Sequence, residues 1–311
     1  MRRIRNNLTG AVFVVGLVAA AAVLWFTGLL AETWDGVASA KRLPLALVVC
    51  VGMAAPLVHA WRWQIVMRSL DVELTLGEAC DITVSSALIN YASPGFVGAS
   101  AKAVLANQTR SVPYSSSALS IGFEHALDVG LMAASAGVAV LIIGPAAFRD
   151  AASPLQGLAS ATVIVGALVI VGLALGLAWR FGALRYIASL ANAARQLGKH
   201  VDPYAVGGLT LLYWSLQVVV IGLLFWALGI DFTIIYVLGV ATVPGLAGML
   251  APLPGGVGVR EAVTVALTTV TGISAATLVT LAIAQRVLLV AALPLSLGLV
   301  RIVRRTRIRF A

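Results

Sequence analysis

Charge is what this sequence has least of. Asp, Glu, Lys and Arg make up 11% of its 311 residues, against about a quarter in a soluble domain. Water could not solvate such a surface, which excludes an ordinary soluble enzyme. Histidine occurs three times and cysteine twice, too few for a disulfide framework or a dense metal centre. Cys50 and Cys80 fall in or beside apolar segments, His59 and His200 stand isolated, and no His-Cys-Asp-Glu cluster has metal-ligand spacing. Neither metal nor cofactor is expected, and no polar stretch is left over for a soluble domain.

What fills the chain instead is apolar: 60% hydrophobic residues and a mean hydropathy of +1.01. Runs of roughly 20 apolar residues recur, each long enough to cross about 30 Å of hydrocarbon as a helix. The run 8–30 follows Arg2, Arg3 and Arg5 and is too long for a cleaved signal, so it reads as a signal anchor. Further crossings are expected near 43–66, 117–143, 155–178, 205–229 and 275–300. Two stretches do not fit a clean span. Residues 79–106 contain Asp81, Asn90, a Ser-Pro-Gly break and Lys102, while 232–272 is interrupted by Pro244, Pro252, Pro254 and glycines. Each reads as two short helices meeting at a bend. Trp25, Trp34, Trp61, Trp63, Trp179, Trp214 and Trp226 mostly fall near span ends, as an aromatic belt would.

Lysine and arginine counts set the expected orientation. Arginines at the N-terminus, in 179–204 and in the tail 301–309 put those regions on the cytoplasmic side, and 31–42 and 144–154 outside. The basic tail suits anionic inner-leaflet lipid better than nucleic acid. With both termini cytoplasmic, each broken segment must enter and leave on one side, the first from the cytoplasm and the second from outside. The expected fold is therefore an all-α polytopic membrane protein in one membrane domain, 1–311, with six full crossings and two re-entrant broken helices. Its halves, 1–150 and 151–311, form an inverted repeat of about eight transmembrane segments.

A sequence echo supports the repeat. Pro94-Gly95-Phe96-Val97-Gly98-Ala99 matches Pro254-Gly255-Gly256-Val257-Gly258-Val259 at an offset of 160 residues. Proline ends a helix by removing a donor, and glycine admits close backbone approach. The freed N–H and C=O groups are tolerable only beside a wet or protein-walled cavity. A half-helix starting after such a bend favours an anion, and transporters commonly bind substrate at paired breaks.

Ionisable residues inside the spans are the second clue. Glu124 and Asp128 lie four apart on one helical face, with His125 beside them, and Gln285-Arg286 sits near the middle of the last span. Unpaired burial would cost each charge several kcal/mol, so they should face the bundle interior and one another. They fit either a structural ion pair or a polar cavity for a lipid headgroup or a coupled proton. Lys102 and Arg260-Glu261 fit that cavity or an interfacial anchor equally well.

Together these residues resemble a known family. Asn90-x3-Pro94-Gly95-x2-Gly98-x3-Lys102, then Glu124-His125-x2-Asp128, then Pro252-x-Pro254-Gly255-Gly256-x-Gly258-x-Arg260-Glu261, and lastly Gln285-Arg286, are similar to the lysylphosphatidylglycerol synthase transmembrane-region family, over essentially the whole chain. Pro-x-Pro-Gly-Gly-x-Gly-x-x-Glu is the most specific piece. The family includes the flippase half of bacterial enzymes that make and export aminoacylated phospholipids, stand-alone flippase-like members, membrane portions of some archaeal glycosyltransferases, and proteins associated with hopanoid synthesis. Members often carry Glu-Arg-x-x-Asp where this chain has Glu124-His125-x-x-Asp128, which puts a titratable imidazole in place of a fixed guanidinium. No soluble synthase domain follows residue 300, so the resemblance implies the transport half alone.

The leading expectation is a non-enzymatic plasma-membrane protein that moves a phospholipid or lipid-linked headgroup between leaflets. Lys102, Arg260 and Arg286 would attract the headgroup, and Glu124, His125 and Asp128 would pair with it or titrate. Partners would be anionic or isoprenoid-linked lipids and a separate lipid-modifying enzyme. One rival is a membrane-embedded polyprenyl-phosphate-dependent transferase with Glu124 or Asp128 as general base; the other is a non-catalytic scaffold for a lipid-synthesis enzyme.

Overall fold

The computed structural model describes residues 35, 38–92, 97–150, 197, 201–250 and 259–310. All regular structure among them is helical: α1 (Arg42–Arg68), α2 (Leu76–Ala92), α3 (Val97–Arg110), α4 (Tyr114–Asp150), α5 (Pro203–Ala227), α6 (Ile234–Leu250), α7 (Val259–Ala266), α8 (Thr268–Thr271) and α9 (Ala275–Phe310). Four of these are long and apolar enough to cross a membrane: α1, α4 over Tyr114–Ile142, α5, and α9 over Ala275–Val303. They match the expected crossings at 43–66, 117–143, 205–229 and 275–300. The chain is a polytopic helical membrane protein. The expected crossings at 8–30 and 155–178 lie outside the described residues.

Both irregular stretches are broken as expected. The first is α2 followed by α3, and the second is α6 followed by α7 and the single turn α8. Their packing places them at opposite ends of the bundle. Leu74, Ala79 and Cys80 at the start of the first pack with Val112, with Met67 near the end of α1, and with Val300 near the end of α9. At the opposite end, Val237 of α6 packs with Val48, Phe225 and Leu278, and Leu267 and Ile273 close over them. A hydrogen bond from the Lys41 N–H to the Ala227 carbonyl, 2.8 Å, ties the start of α1 to the end of α5 there.

Local chemistry explains where the helices stop and start. Asp202 caps α5 by accepting from the Tyr204 and Ala205 N–H groups, and Pro203 occupies the position where a missing N–H costs nothing. The same helix ends on Gly229 at φ +66°, with Ile230 N–H donating to the Phe225 carbonyl and Gly229 N–H to that of Trp226. That left-handed closure suits glycine. At its first turn α2 carries a reciprocal capping box: Glu78 N–H donates to Thr75 Oγ1 and Thr75 N–H donates to Glu78 Oε2. Helix approach follows small residues, as expected without a hydrophobic drive between helices in lipid. Gly52 of α1 lets α9 in beside Leu289 and Ala292, and Ser296 donates to the Met53 carbonyl at 3.2 Å.

The base of the first broken segment is fastened electrostatically. Arg110, ending α3, donates to Glu78 at 2.9 and 3.3 Å, so the two legs are tied below the bend. Arg301 of α9 reaches Asp81 at 3.0 Å on the same end. Burial works against the Glu78 charge, but the Thr75 N–H, the Arg110 guanidinium and the Thr75 hydroxyl outweigh it, and the carboxyl titrates below its ordinary range. A lowered folded-state value means that this contribution is complete above the ordinary range and is lost as pH falls through the lowered one. Acidifying from about pH 5 to about pH 3 should therefore depress the melting temperature of the parent more than that of Glu78→Gln. Equal losses in detergent-solubilised melts would show that the staple carries no stability.

Candidate functional site

The interior holds a buried ion cluster centred on a residue that the sequence alone did not single out. Arg62 of α1 is fully buried. Its Nε donates to Glu124 Oε1 at 3.1 Å, and its two terminal nitrogens take Asp128 bidentately at 2.6 and 2.9 Å. Nη1 also donates to Thr210 Oγ1 of α5 at 3.1 Å. A planar guanidinium can serve two carboxylates and a hydroxyl at once, and a lysine could not. Glu124 and Asp128 occupy successive turns of α4, so one arginine reaches both.

Two further basic side chains share Glu124. Lys102 of α3 donates to Oε2 at 2.8 Å, and its ammonium lies 4.3 Å from the Trp63 ring centroid. His59 of α1, one turn before Arg62, brings Nε2 to 3.4 Å from Oε1. Aromatic residues wall the cluster. The Trp214 indole donates to Asp128 Oδ1 at 2.9 Å, the Trp63 indole donates to Ser120 Oγ at 3.1 Å, and Tyr213 lies against His59 and Arg62. Burying four charges is costly, and these hydrogen bonds are what make it tolerable.

Above the cluster opens a cavity of about 450 Å³, within the range of small-molecule sites. It is lined by Lys102, Glu124, His125 and Asp128, and also by Arg260 of α7 with Gln285 and Arg286 of α9. Arg260 Nη2 donates to Gln285 Oε1 at 2.6 Å. Asn90 and Gly98 come from the first broken segment, and Gly245, Gly248 and Met249 from the second. Segments entering from opposite ends thus converge on one polar chamber. Pro56 of α1 also lines it, together with Gly52, whose carbonyl Pro56 cannot serve as a donor.

Asn90, Gly98, Lys102, Glu124, His125, Asp128, Arg260, Gln285 and Arg286, all marked in the sequence, line this one cavity. Pro94, Gly95, Pro252, Pro254, Gly255, Gly256, Gly258 and the Glu261 side chain lie outside what is described. Three readings need correction. His59 is not isolated but stands at Glu124. Trp63 and Trp214 are not belt residues: Trp63 is fully buried and both face the ion cluster. Trp61 and Trp226 are exposed, at 49% and 42%. The sequence pointed to Arg286 alone as the partner of Glu124 and Asp128, whereas Arg62 and Lys102 pair with them and Arg286 lines the same cavity. Among the described residues no group of three or more His, Cys, Asp or Glu could hold a metal ion.

A family model described as the lysylphosphatidylglycerol synthase TM region matches residues 13–298. The chain belongs to that family. The match runs through both broken segments and every helix that contributes to the cavity. Comparisons with curated proteins and with solved structures give no match.

Proposed function

We propose that this member of the lysylphosphatidylglycerol synthase TM region family translocates the headgroup of an anionic or lipid-linked substrate between leaflets of the cell membrane, its tails remaining in the bilayer. The observation that carries the reading is the chamber itself, a charged cavity at the meeting point of two broken segments that enter from opposite ends of an apolar bundle. Broken helices are tolerated in a membrane where they line such a cavity, and paired breaks suit alternating access when the halves are inverted. Lys102, Arg260 and Arg286 supply the attraction for a phosphate, with both termini on the cytoplasmic side. No bond is made or broken in this reading, and any lipid-modifying step falls to a separate enzyme.

Lys102→Ala and Arg286→Ala should each strip a specific lipid from the protein and lower flipping in proteoliposomes by tenfold or more, roughly the loss of one charge-assisted contact of 1.5–3 kcal/mol. Native mass spectrometry of the gently purified parent beside the two variants reads retention directly. One lipid class held by the parent and lost from both variants, with each variant still melting cooperatively, supports the assignment. The same bulk-lipid mixture on all three proteins would favour a scaffold.

A further inference from the structure

Glu124 has three basic neighbours, and they differ in what they can do. Arg62 is fully buried and held by Asp128 and Thr210 as well, so it is fixed in place and in charge. Lys102 arrives on α3, the second leg of a broken segment, and lines the cavity. His59 also lines the cavity, with its side chain 27% exposed. Of the three, only the imidazole changes charge near neutral pH.

The charges of the cluster balance in one state. Arg62 and Lys102 cancel Glu124 and Asp128 when His59 is neutral. An anionic headgroup that draws Lys102 from Glu124 toward Arg260 and Arg286 leaves the cluster one positive charge short in a medium of low dielectric, where an uncompensated charge is costly. A proton on His59 restores the neutrality of the cluster and gives Glu124 a replacement ion pair.

We propose that His59 is a proton-binding site coupled to the headgroup site, so that one proton is taken up with each monoanionic headgroup bound and the two cross together. This rests on the translocation reading and adds its ion stoichiometry. With Nε2 facing the Glu124 carboxylate, the neutral ring carries its hydrogen on Nε2. The added proton, delivered from bulk solution as hydronium through cavity water, then forms its N–H bond at Nδ1, and that bond breaks to water on the far side, which carries the proton to bulk as the headgroup leaves.

The charged and titratable groups facing His59 from its neighbours favour this site over others. From its own helix comes Arg62; from α4, Glu124, His125 and Asp128; from α3, Lys102; from α5, Tyr213; and lining the same cavity, Arg260 and Arg286. The described lining residues of α2 are Thr83, Ser86, Ala87 and Asn90, none of which titrates. The two arginines keep their charge at all working pH and so can hold a phosphate but cannot carry the proton. His125 neighbours Asp128, whose oxygens already accept from Arg62 and Trp214 and make no hydrogen bond to Lys102 that its movement would break.

The test is calorimetric titration of the full chain, in phosphatidylcholine nanodiscs, with dihexanoyl-phosphatidylglycerol in two buffers of different ionisation enthalpy. The parent should take up close to one proton per lipid bound at a pH above the His59 titration, with affinity falling about tenfold per pH unit there. His59→Gln should bind with no proton uptake and a flat pH profile. Binding by the parent without uptake, or uptake that persists in His59→Gln, overturns the coupling while leaving translocation standing. The parent's proton count decides against the coupling even if the variant fails to fold. Absence of saturable binding overturns the translocation reading and the coupling with it.

Discussion

Replacing Arg62 with methionine is expected to be the most destabilising single change in the described part of the chain. The substitution leaves Glu124 and Asp128 buried, 3% and 8% exposed, with no guanidinium between them. Removing one partner from a buried ion network costs about 3–5 kcal/mol, because the remaining charges keep their desolvation penalty and lose its compensation. The stored cost belongs to the orphaned charges, so neutralising them should return most of it. Arg62→Met combined with Glu124→Gln and Asp128→Asn is expected to melt far closer to the parent than Arg62→Met alone. Arg62→Lys should recover only part, since an ammonium cannot hold Asp128 bidentately while donating to Glu124. Thermal melts in detergent followed by tryptophan fluorescence suit the test, because Trp63 and Trp214 both face the cluster. A melting curve for Arg62→Met that overlays the parent would mean that the network contributes nothing to the fold.

The cluster also marks where the sequence stopped being readable. Span positions followed from apolar length, since α1, α4, α5 and α9 had to cross somewhere and their charges and prolines bounded them. The two breaks followed from Pro and Gly, whose backbone chemistry acts locally. Glu124 was marked because charge inside a span must find a partner, and Lys102, which fitted a cavity or an interfacial anchor equally well, is one of its partners. Arg62 was missed because it sits near the end of its span between Trp61 and Trp63, where arginine and tryptophan ordinarily serve as interfacial anchors. A signal was nevertheless present. Gly52, Ala55, Pro56, His59 and Arg62 recur at three- and four-residue spacing, a stripe of small and polar residues along one face of an otherwise apolar helix. That face points inward, and its last member is the missing countercharge for two acids on α4. Which acid would pair with which base could not be read, because it depends on how α1, α3 and α4 pack, and no local pattern encodes that.

Gly98→Ala is expected to abolish lipid retention while leaving the chain folded, the largest functional effect of any change that removes no charge. A Cβ at position 98 would overlap the Asn90 Cβ and stand 2.8 Å from its Cγ and Oδ1. The Asn90 Cβ is fixed to the backbone of α2 and cannot rotate away, so the two legs of the broken segment must part. Overpacking of this kind costs about 1–3 kcal/mol. Lys102 stands one turn after Gly98 on the same face of α3 and moves with that leg, loosening its 2.8 Å contact with Glu124. Misplacement by about 1 Å can cost on the order of a hundredfold in rate. Gly245 provides the contrast: its added Cβ would meet only the terminal Cε of Met132, a flexible end that can turn aside, so Gly245→Ala should keep near-parental retention. Combining Gly98→Ala with Asn90→Gly removes the obstructing atom and should melt at a higher temperature than the two single losses add to, the non-additivity of residues in contact. Strict additivity in that pair, or full lipid retention by Gly98→Ala, would mean that the legs can separate without disturbing the chamber.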